Sequence, residues 1–397
     1  MPITQDDVLA ALRTVQDPEL YKDIVTLNMV KDINIKEGAV AVNIELTTPA
    51  CPLKERIRQD VTAALQKIPG ITAVSVELSA HVRGGRAGAA ASGGGAGRSA
   101  LPGVKNIVAV GAGKGGVGKS TIAVNLAVGL ALQGARVGIM DGDIYGPSIP
   151  TLIGLPPQPP LVQGDQIIPF EVLVPLAPVG GWATSEGGGG GGEPLQAAGP
   201  AENVLKVMSI GFLVEKEKAL IWRGPMAHGA IKQFLEQVAW GELDYLIVDL
   251  PPGTGDVSLT LAQTVPLTGA VIVATPQEVA LIDARRAVRM FQQLGVEILG
   301  VVENMSYFVC EHGKEYDIFG RGGAHTMSQT MGIPYLGAVP IDMQLRVHSD
   351  AGTPFDNFLR ASASSPYLQQ LVSALAGQIS IRNVSRPAAS PLTLEVS

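Results

Sequence analysis

The chain has 397 residues, 46% of them hydrophobic and only 16% charged. That is enough apolar side chain for about two or three domains with cores of their own, and it excludes a wholly disordered chain. The net charge is −7 and no run of Lys or Arg occurs, which argues against nucleic acid and against an anionic membrane surface as partners. No apolar stretch reaches the ~18 residues of a spanning helix, and the N-terminus shows no charged or apolar leader region. The two cysteines, Cys51 and Cys310, make no disulfide framework, so a cytoplasmic location is expected.

In chain order, residues 1–80 predict a small α+β domain. A helix is expected over 6–15, an alternating strand carries Val40, Val42, Ile44 and Leu46, a second helix covers 53–66, and a last strand covers 73–78. Cys51 falls where the strand passes into the second helix, in Thr47-Thr48-Pro49-Ala50-Cys51-Pro52. There it reads either as a thiol acidified by the helix's positive end, fit for a nucleophile or a metal ligand, or as a small buried hydrophobe. Residues 81–103 turn to Gly, Ala, Ser and Arg, a composition expected to form a flexible tether spanning about 25 Å on average.

The second domain, 104–380, opens on an apolar run, Ile107-Val108-Ala109-Val110, that ends in glycines and leads into an Ala- and Leu-rich helical segment reaching Gln133. Gly113, Gly118, Lys119 and Ser120 fit the spacing G-x-x-x-x-G-K-[ST]. In such a loop the backbone N–H groups of Gly113 through Thr121, including Gly115, Gly116 and Val117, close around phosphate oxygens. Lys119 reaches the β and γ phosphates, and the Ser120 hydroxyl holds Mg²⁺. The start of the following helix adds its positive dipole end. The expected ligand of the loop is therefore a nucleotide's phosphates with Mg²⁺. Further strands are predicted at 136–140, 204–208, 245–250, 270–274, 298–302 and 335–339, with helical patterns such as 231–239 and 284–294 between them. That rhythm predicts an α/β fold: a mainly parallel sheet with helices on both faces and a ligand site beyond the strands' carboxyl ends. Residues 180–200, with Gly187 to Gly192 unbroken, read as a low-complexity insertion, and the tail 381–397 as disordered.

Two acidic motifs follow strands, Asp141-Gly142-Asp143 and Asp249-Leu250-Pro251-Pro252-Gly253-Thr254-Gly255-Asp256. Carboxylates at strand ends beside a phosphate loop are placed to hold Mg²⁺ or to orient water. Taken singly, either motif also suits an ordinary turn.

Lys114, directly after the first glycine, gives Gly-Lys-Gly-Gly-Val-Gly-Lys-Ser-Thr, which resembles the deviant Walker A loop of the MinD, ParA and nitrogenase iron protein group of P-loop ATPases. The resemblance implies an ATP-sandwiched homodimer in which Lys114 crosses to the partner's nucleotide. It also implies that Asp143 orients water and that Asp249 meets Mg²⁺ through water. Asp143 to Ser148, Trp222 to Met226, Tyr245 to Asp256 and Glu303-Asn304-Met305-Ser306-Tyr307 are similar to the Mrp/ApbC family of iron-sulfur cluster carrier ATPases. Asp17-Pro18-Glu19-Leu20, Asp23-Ile24-Val25 and Leu46 to Pro52 resemble the MIP18-like (DUF59) domain of iron-sulfur assembly proteins.

These resemblances imply a carrier that delivers iron-sulfur clusters to apoproteins, an adenine-recognising role for Asn304, and cluster chemistry at Cys310 and Cys51. Many relatives carry Cys-Pro-x-Cys after Met-Ser-Tyr, whereas here the stretch reads Phe308-Val309-Cys310-Glu311-His312. A homodimer then offers two Cys310 thiolates, short of four ligands, and His312 or Cys51 would complete the set unless this loop binds no cluster. The rival reading, a MinD/ParA-type positioning or partition switch, needs a basic amphipathic tail or basic surface clusters that the sequence lacks.

Overall fold

The computed structural model describes residues 3–385 apart from Glu19, Tyr21, Ala50, Pro52, Arg83, 85–100, Ile144, Tyr145, 176–202, 214–223, Thr254 and Arg360. The expected insertion at 180–200 lies outside these residues, as do most of the expected tether and the tail beyond Ser385.

One compact unit comprises residues 1–83 and the chain from 376 onward. Helix α1 (Gln5–Leu12) starts where it does because Thr4 and Asp7 form a capping box: the Thr4 hydroxyl accepts from the Asp7 N–H and the Asp7 carboxylate accepts from the Thr4 N–H. Strands β1 (Gln16–Asp17) and β2 (Lys22–Asp23) form a two-residue ladder. Strand β3 (Val30–Lys36) runs antiparallel to β4 (Ala39–Leu46). Helix α2 (Lys54–Leu65) then carries the chain across to β5 (Ala73–Ala80), parallel to β4. The alternation of β4 buries Val40, Val42, Ile44 and Leu46 against Ile57, Val61 and Leu65 of α2 and Val8 and Leu12 of α1. Cys51, 6% exposed, belongs to this core, and so does contact from Val384.

The second unit spans residues 84–375. Its elements are β6 (Val104–Ala112), α3 (Lys119–Leu132), β7 (Val137–Asp141), α4 (Ile149–Ile153), β8 (Val162–Gln163), β9 (Gln166–Ile167), β10 (Phe170–Leu173), β11 (Val204–Ser209), α5 (Gly224–Gln237), β12 (Leu243–Asp249) and α6 (Asp256–Thr264). They continue with β13 (Gly269–Ala274), α7 (Glu278–Gln293), β14 (Ile298–Val309), β15 (Glu315–Tyr316), α8 (Gly323–Met331), β16 (Tyr335–Ile341) and α9 (Met343–Ala351), and α10 (Ser365–Ser385) runs out of this unit into the first. The sheet runs β10-β11-β7-β12-β6-β13-β14, with β15 and β16 both pairing β14. All pairings are parallel except β10 with β11 and β14 with β15.

Every residue of β7, β12 and β13 is buried, which requires cover on both faces of the sheet and explains the unbroken apolar runs in their sequence. At the amino ends of the central strands, the buried Asp244 accepts from Lys105 Nζ at 2.9 Å and from the Arg136 N–H at 3.0 Å. Burial works to raise its pKa, but these hydrogen bonds prevail and hold its carboxyl below the usual value.

The predicted strands all form, and several elements extend beyond their expected bounds. Strand β14 does not stop at Val302 but continues to Val309, passing a register shift against β16 after Asn304 and pairing β15 through Phe308 and Val309. Helix α7 begins at Glu278, six residues ahead of the predicted helical pattern at 284. The segment expected to be irregular from 381 is helical through Ser385, since Leu368, Leu371, Val372, Leu375 and Ile379 form one buried stripe that carries α10 onward.

Candidate functional site

The carboxyl ends of β6, β7 and β12, and Asn304 in the middle of β14, meet around the loop 113–118. Two of its glycines are required by close approach. A Cβ on Gly113 would stand 2.1 Å from the Asp283 carbonyl carbon in α7, and one on Gly118 would stand 2.1 Å from Asn304 Nδ2. Gly118 also has φ 79°, a left-handed turn that hands the chain directly to α3 at Lys119. The loop therefore presents its backbone at the N-terminus of a fourteen-residue helix, an arrangement that attracts anions. Lys114 is half-buried and forms no ion pair among the described residues. Opposite the loop, the Gly253 N–H donates to Ala112 O at 2.9 Å and seats the segment after β12 against the end of β6.

Lys119 is buried, and its Nζ lies 2.5 Å from Asp249 Oδ1, 3.1 Å from Ser120 Oγ and 3.9 Å from Asp143 Oδ2. The structure thus gathers four residues singled out from three separate motifs. Burial raises the pKa of Asp249, against the opposing pull of Lys119. Its second oxygen, Oδ2, is buried without a hydrogen-bond partner. An orphaned buried carboxylate oxygen beside a serine hydroxyl and a phosphate loop has the donor chemistry a hard divalent cation takes, so the residues present fit Mg²⁺.

In the sequence Asp141 stands only as a companion of Asp143, and the structure gives it a separate task. Its Oδ1 accepts from the Asp143 N–H at 3.0 Å, and its Oδ2 accepts from Ser209 Oγ at 2.9 Å and from the Ile149 N–H at 3.2 Å. It therefore pins both ends of the loop that carries Asp143. Burial, and then the neighbouring Asp249 carboxylate, push Asp141 up to about 7. Asp-x-Asp after a strand was the only trace of this in the sequence, because Ser209 is far away in the chain.

Asn304 is buried and donates its Nδ2 to Val117 O at 2.8 Å, so the carboxamide is fixed on the phosphate loop itself. Cys310 sits at the turn between β14 and β15, where its N–H donates to Lys314 O and its carbonyl accepts from Gly313 N. It is partly exposed, and His312 beside it is exposed. Val309, Tyr316, Ile318 and Phe319 leave a substantial apolar surface around this turn. Among the described residues no group of three or more His, Cys, Asp or Glu gathers in a way that could hold a metal ion.

Residues 103–179 and 190–376 match the family model described as ParA, NUBPL iron-transfer P-loop NTPase, and residues 5–78 match one described as iron-sulfur cluster assembly protein. The chain is 45% identical over 381 residues to the iron-sulfur cluster carrier protein of Synechocystis sp., covering 96% of this chain and 99% of that one. It is 46% identical over 381 residues to the protein of the same name from Deinococcus radiodurans, covering 96% and 97%. Among solved structures it is similar to a nucleotide-binding protein from Archaeoglobus fulgidus in complex with ADP, with 40% identity, a TM-score of 0.51 and coverage of 64% of this chain and 90% of the other. With this coverage, and with its buried lysine and two strand-end carboxylates around one phosphate loop, the chain belongs to the NUBPL-type iron-transfer P-loop NTPases of the ParA family.

Proposed function

We propose that this protein is a Mg²⁺-dependent ATPase that carries iron-sulfur clusters and delivers them to apoproteins in the cytoplasm, working as a homodimer. The observation that carries the nucleotide half is the buried Lys119–Asp249 contact next to an orphaned Asp249 oxygen. Without nucleotide the lysine neutralises the carboxylate. Phosphates arriving in the loop draw Lys119 to themselves, and Asp249 with Ser120 would then hold Mg²⁺, which supplies charge neutralisation for phosphoryl transfer. Asp143, fastened by Asp141 beyond the loop, orients the attacking water. Asn304 recognises the adenine edge, and Lys114, free of any ion pair among the described residues, reaches the partner subunit's nucleotide.

The cargo half rests on near full-length similarity to proteins named iron-sulfur cluster carriers and on the accessible Cys310. Among the described residues one copy does not present a complete ligand set, so the cluster is held between two copies, with His312 beside each Cys310 as the nearest supplement. Cys51, in the core of the first unit, serves less well as a ligand in this conformation. The test is anaerobic reconstitution followed by iron and sulfide counting per dimer and transfer to an apoprotein with and without Mg-ATP. A wild-type chain that hydrolyses ATP but retains no iron after reconstitution would refute the carrier reading.

A further inference from the structure

Two consecutive residues of β14 hold two different loops. Glu303 is fully buried. Its Oε1 accepts from Ser306 Oγ at 2.5 Å and from the Gly322 N–H at 2.8 Å, and its Oε2 accepts from the Ala324 N–H at 2.8 Å. Ser306 and Gly322 are the two ends of the excursion that carries Cys310, so one carboxylate closes that excursion at its base. The excursion is also packed on itself: the Arg321 guanidinium lies 4.0 Å over the Tyr307 ring and pairs with Glu315.

The next residue, Asn304, grips the phosphate loop through Val117 O and fills the space where a Cβ of Gly118 would be. Any movement of the Val117–Gly118 backbone therefore meets this carboxamide at once. Neighbouring strand residues project to opposite faces, so a single stretch of backbone carries both anchors.

Immediately beyond them the strand is irregular. Met305 has φ 54°, a left-handed conformation that is uncommon for a residue with a side chain. The register with β16 slips at the same place, from Asn304 opposite Val339 to Phe308 opposite Ile341, so that β14 advances twice as far as its partner. Strained backbone of this kind persists only where its surroundings hold it, and it recurs at switch regions and beside active sites.

We propose that Glu303, Asn304 and Met305 couple nucleotide occupancy of the phosphate loop to the exposure of the Cys310 thiol, with Met305 as the joint. The proposal rests on the reading of the loop as an ATP site. Glu303 and Met305 act as positioning residues and touch neither nucleotide nor cargo. Phosphate binding tightens the loop backbone, Asn304 passes the displacement into β14, and the closed excursion swings as a unit about the left-handed residue. Such coupling requires that nucleotide favour one arrangement over the other, and typical couplings of this kind span about 5-fold to 150-fold.

The experiment measures the rate of Cys310 alkylation by N-ethylmaleimide in the full-length Cys51→Ser chain, which leaves a single thiol. Rates are read without nucleotide, with Mg-ADP and with Mg-ATP, at two protein concentrations, alongside direct nucleotide binding. The expected result is a rate change of about five-fold or more on nucleotide addition. Met305→Gly, in which the left-handed backbone is unstrained, is expected to bind nucleotide and lose the change. Asn304→Ala at saturating nucleotide should lose it as well, and Glu303→Gln should give fast alkylation in every state. The proposal is overturned if wild type binds nucleotide with no change in rate, or if the change survives in both Met305→Gly and Asn304→Ala. It is overturned equally if the whole of the change scales with protein concentration, leaving nothing beyond the shielding by a second copy that the homodimer reading itself expects. Absence of nucleotide binding would remove the proposal together with the ATP-site reading, and the binding data tell these failures apart.

Discussion

The phosphate loop, which Asn304 of β14 grips, and the Cys310 hairpin, into which the same strand runs, are built on opposite principles. Around the loop, polar groups are buried and, apart from Asp249 Oδ2, paired within one chain: Lys119 with Asp249, Asp141 with Ser209 and two backbone N–H groups, Asn304 with Val117. At the hairpin the potential ligands are one partly exposed cysteine and one exposed histidine, ringed by apolar side chains in solvent. The difference separates two kinds of chemistry. Phosphoryl transfer depends on groups held rigidly before the substrate arrives, because the electrostatic stabilisation comes from preorganisation. A transferable cargo needs a site that is open, incomplete in one copy, and able to let go.

The largest expected effect tests the preorganised side. Lys119→Ala should abolish ATP hydrolysis and nucleotide retention together, a fall of at least about 10²–10³-fold in rate, because the phosphates lose their cation and Asp249 its partner. Hydrolysis assays with a nucleotide retention measurement check this. Asp143→Ala should reduce hydrolysis by about 10²-fold while nucleotide stays bound, since only water orientation is lost. A wild-type rate in purified Asp143→Ala would show that the loop pinned by Asp141 does not position the water.

On the open side, Cys310→Ser should lose most of the iron and sulfide bound after reconstitution, whereas Cys51→Ser should keep it, because the buried thiol is packed in a core. The reverse pattern would move cargo chemistry to the first unit. His312→Ala should leave cargo bound but more labile and shift its reduction potential downward, since histidine ligation raises the potential relative to thiolate. Redox titration and iron loss over time give the measurement.

The smallest effect lies away from both sites, at the amino ends of the strands. Asp244→Asn should cost about 1–3 kcal/mol of stability with no change in hydrolysis per folded molecule. The sign follows from its lowered pKa: the ionised carboxyl contributes stability above its unfolded value near 3.8, and that contribution fades as pH falls through the lower folded value. Denaturant unfolding of wild type and variant across that acid range should therefore show the two curves converging. If hydrolysis falls with Asp244→Asn, the contrast between a rigid site and its supporting scaffold is drawn too sharply.

The sequence determined what depends on neighbours in the chain. Gly113 through Thr121 announce a phosphate loop because backbone curvature, lysine reach and helix dipole are all local, and the apolar runs of β7, β12 and β13 announce a parallel sheet because both their faces are covered. Asp143 and Asp249 were legible as strand-end carboxylates for the same reason. What only the tertiary structure decided are the meetings between distant segments. Asp141 as the anchor of the Asp143 loop needed Ser209 from another strand. Asn304 as a brace on Val117 and Glu303 as the base of the Cys310 excursion needed the bulge at Met305. Short edge strands such as β10 and β15 carry too few residues for a periodic signal and form only because β11 and β14 offer open edges to pair with. Hydrogen bonds between remote segments leave no spacing in the sequence, so the loop could be read from the chain alone, while the contacts that link it to the cysteine had to wait for the fold.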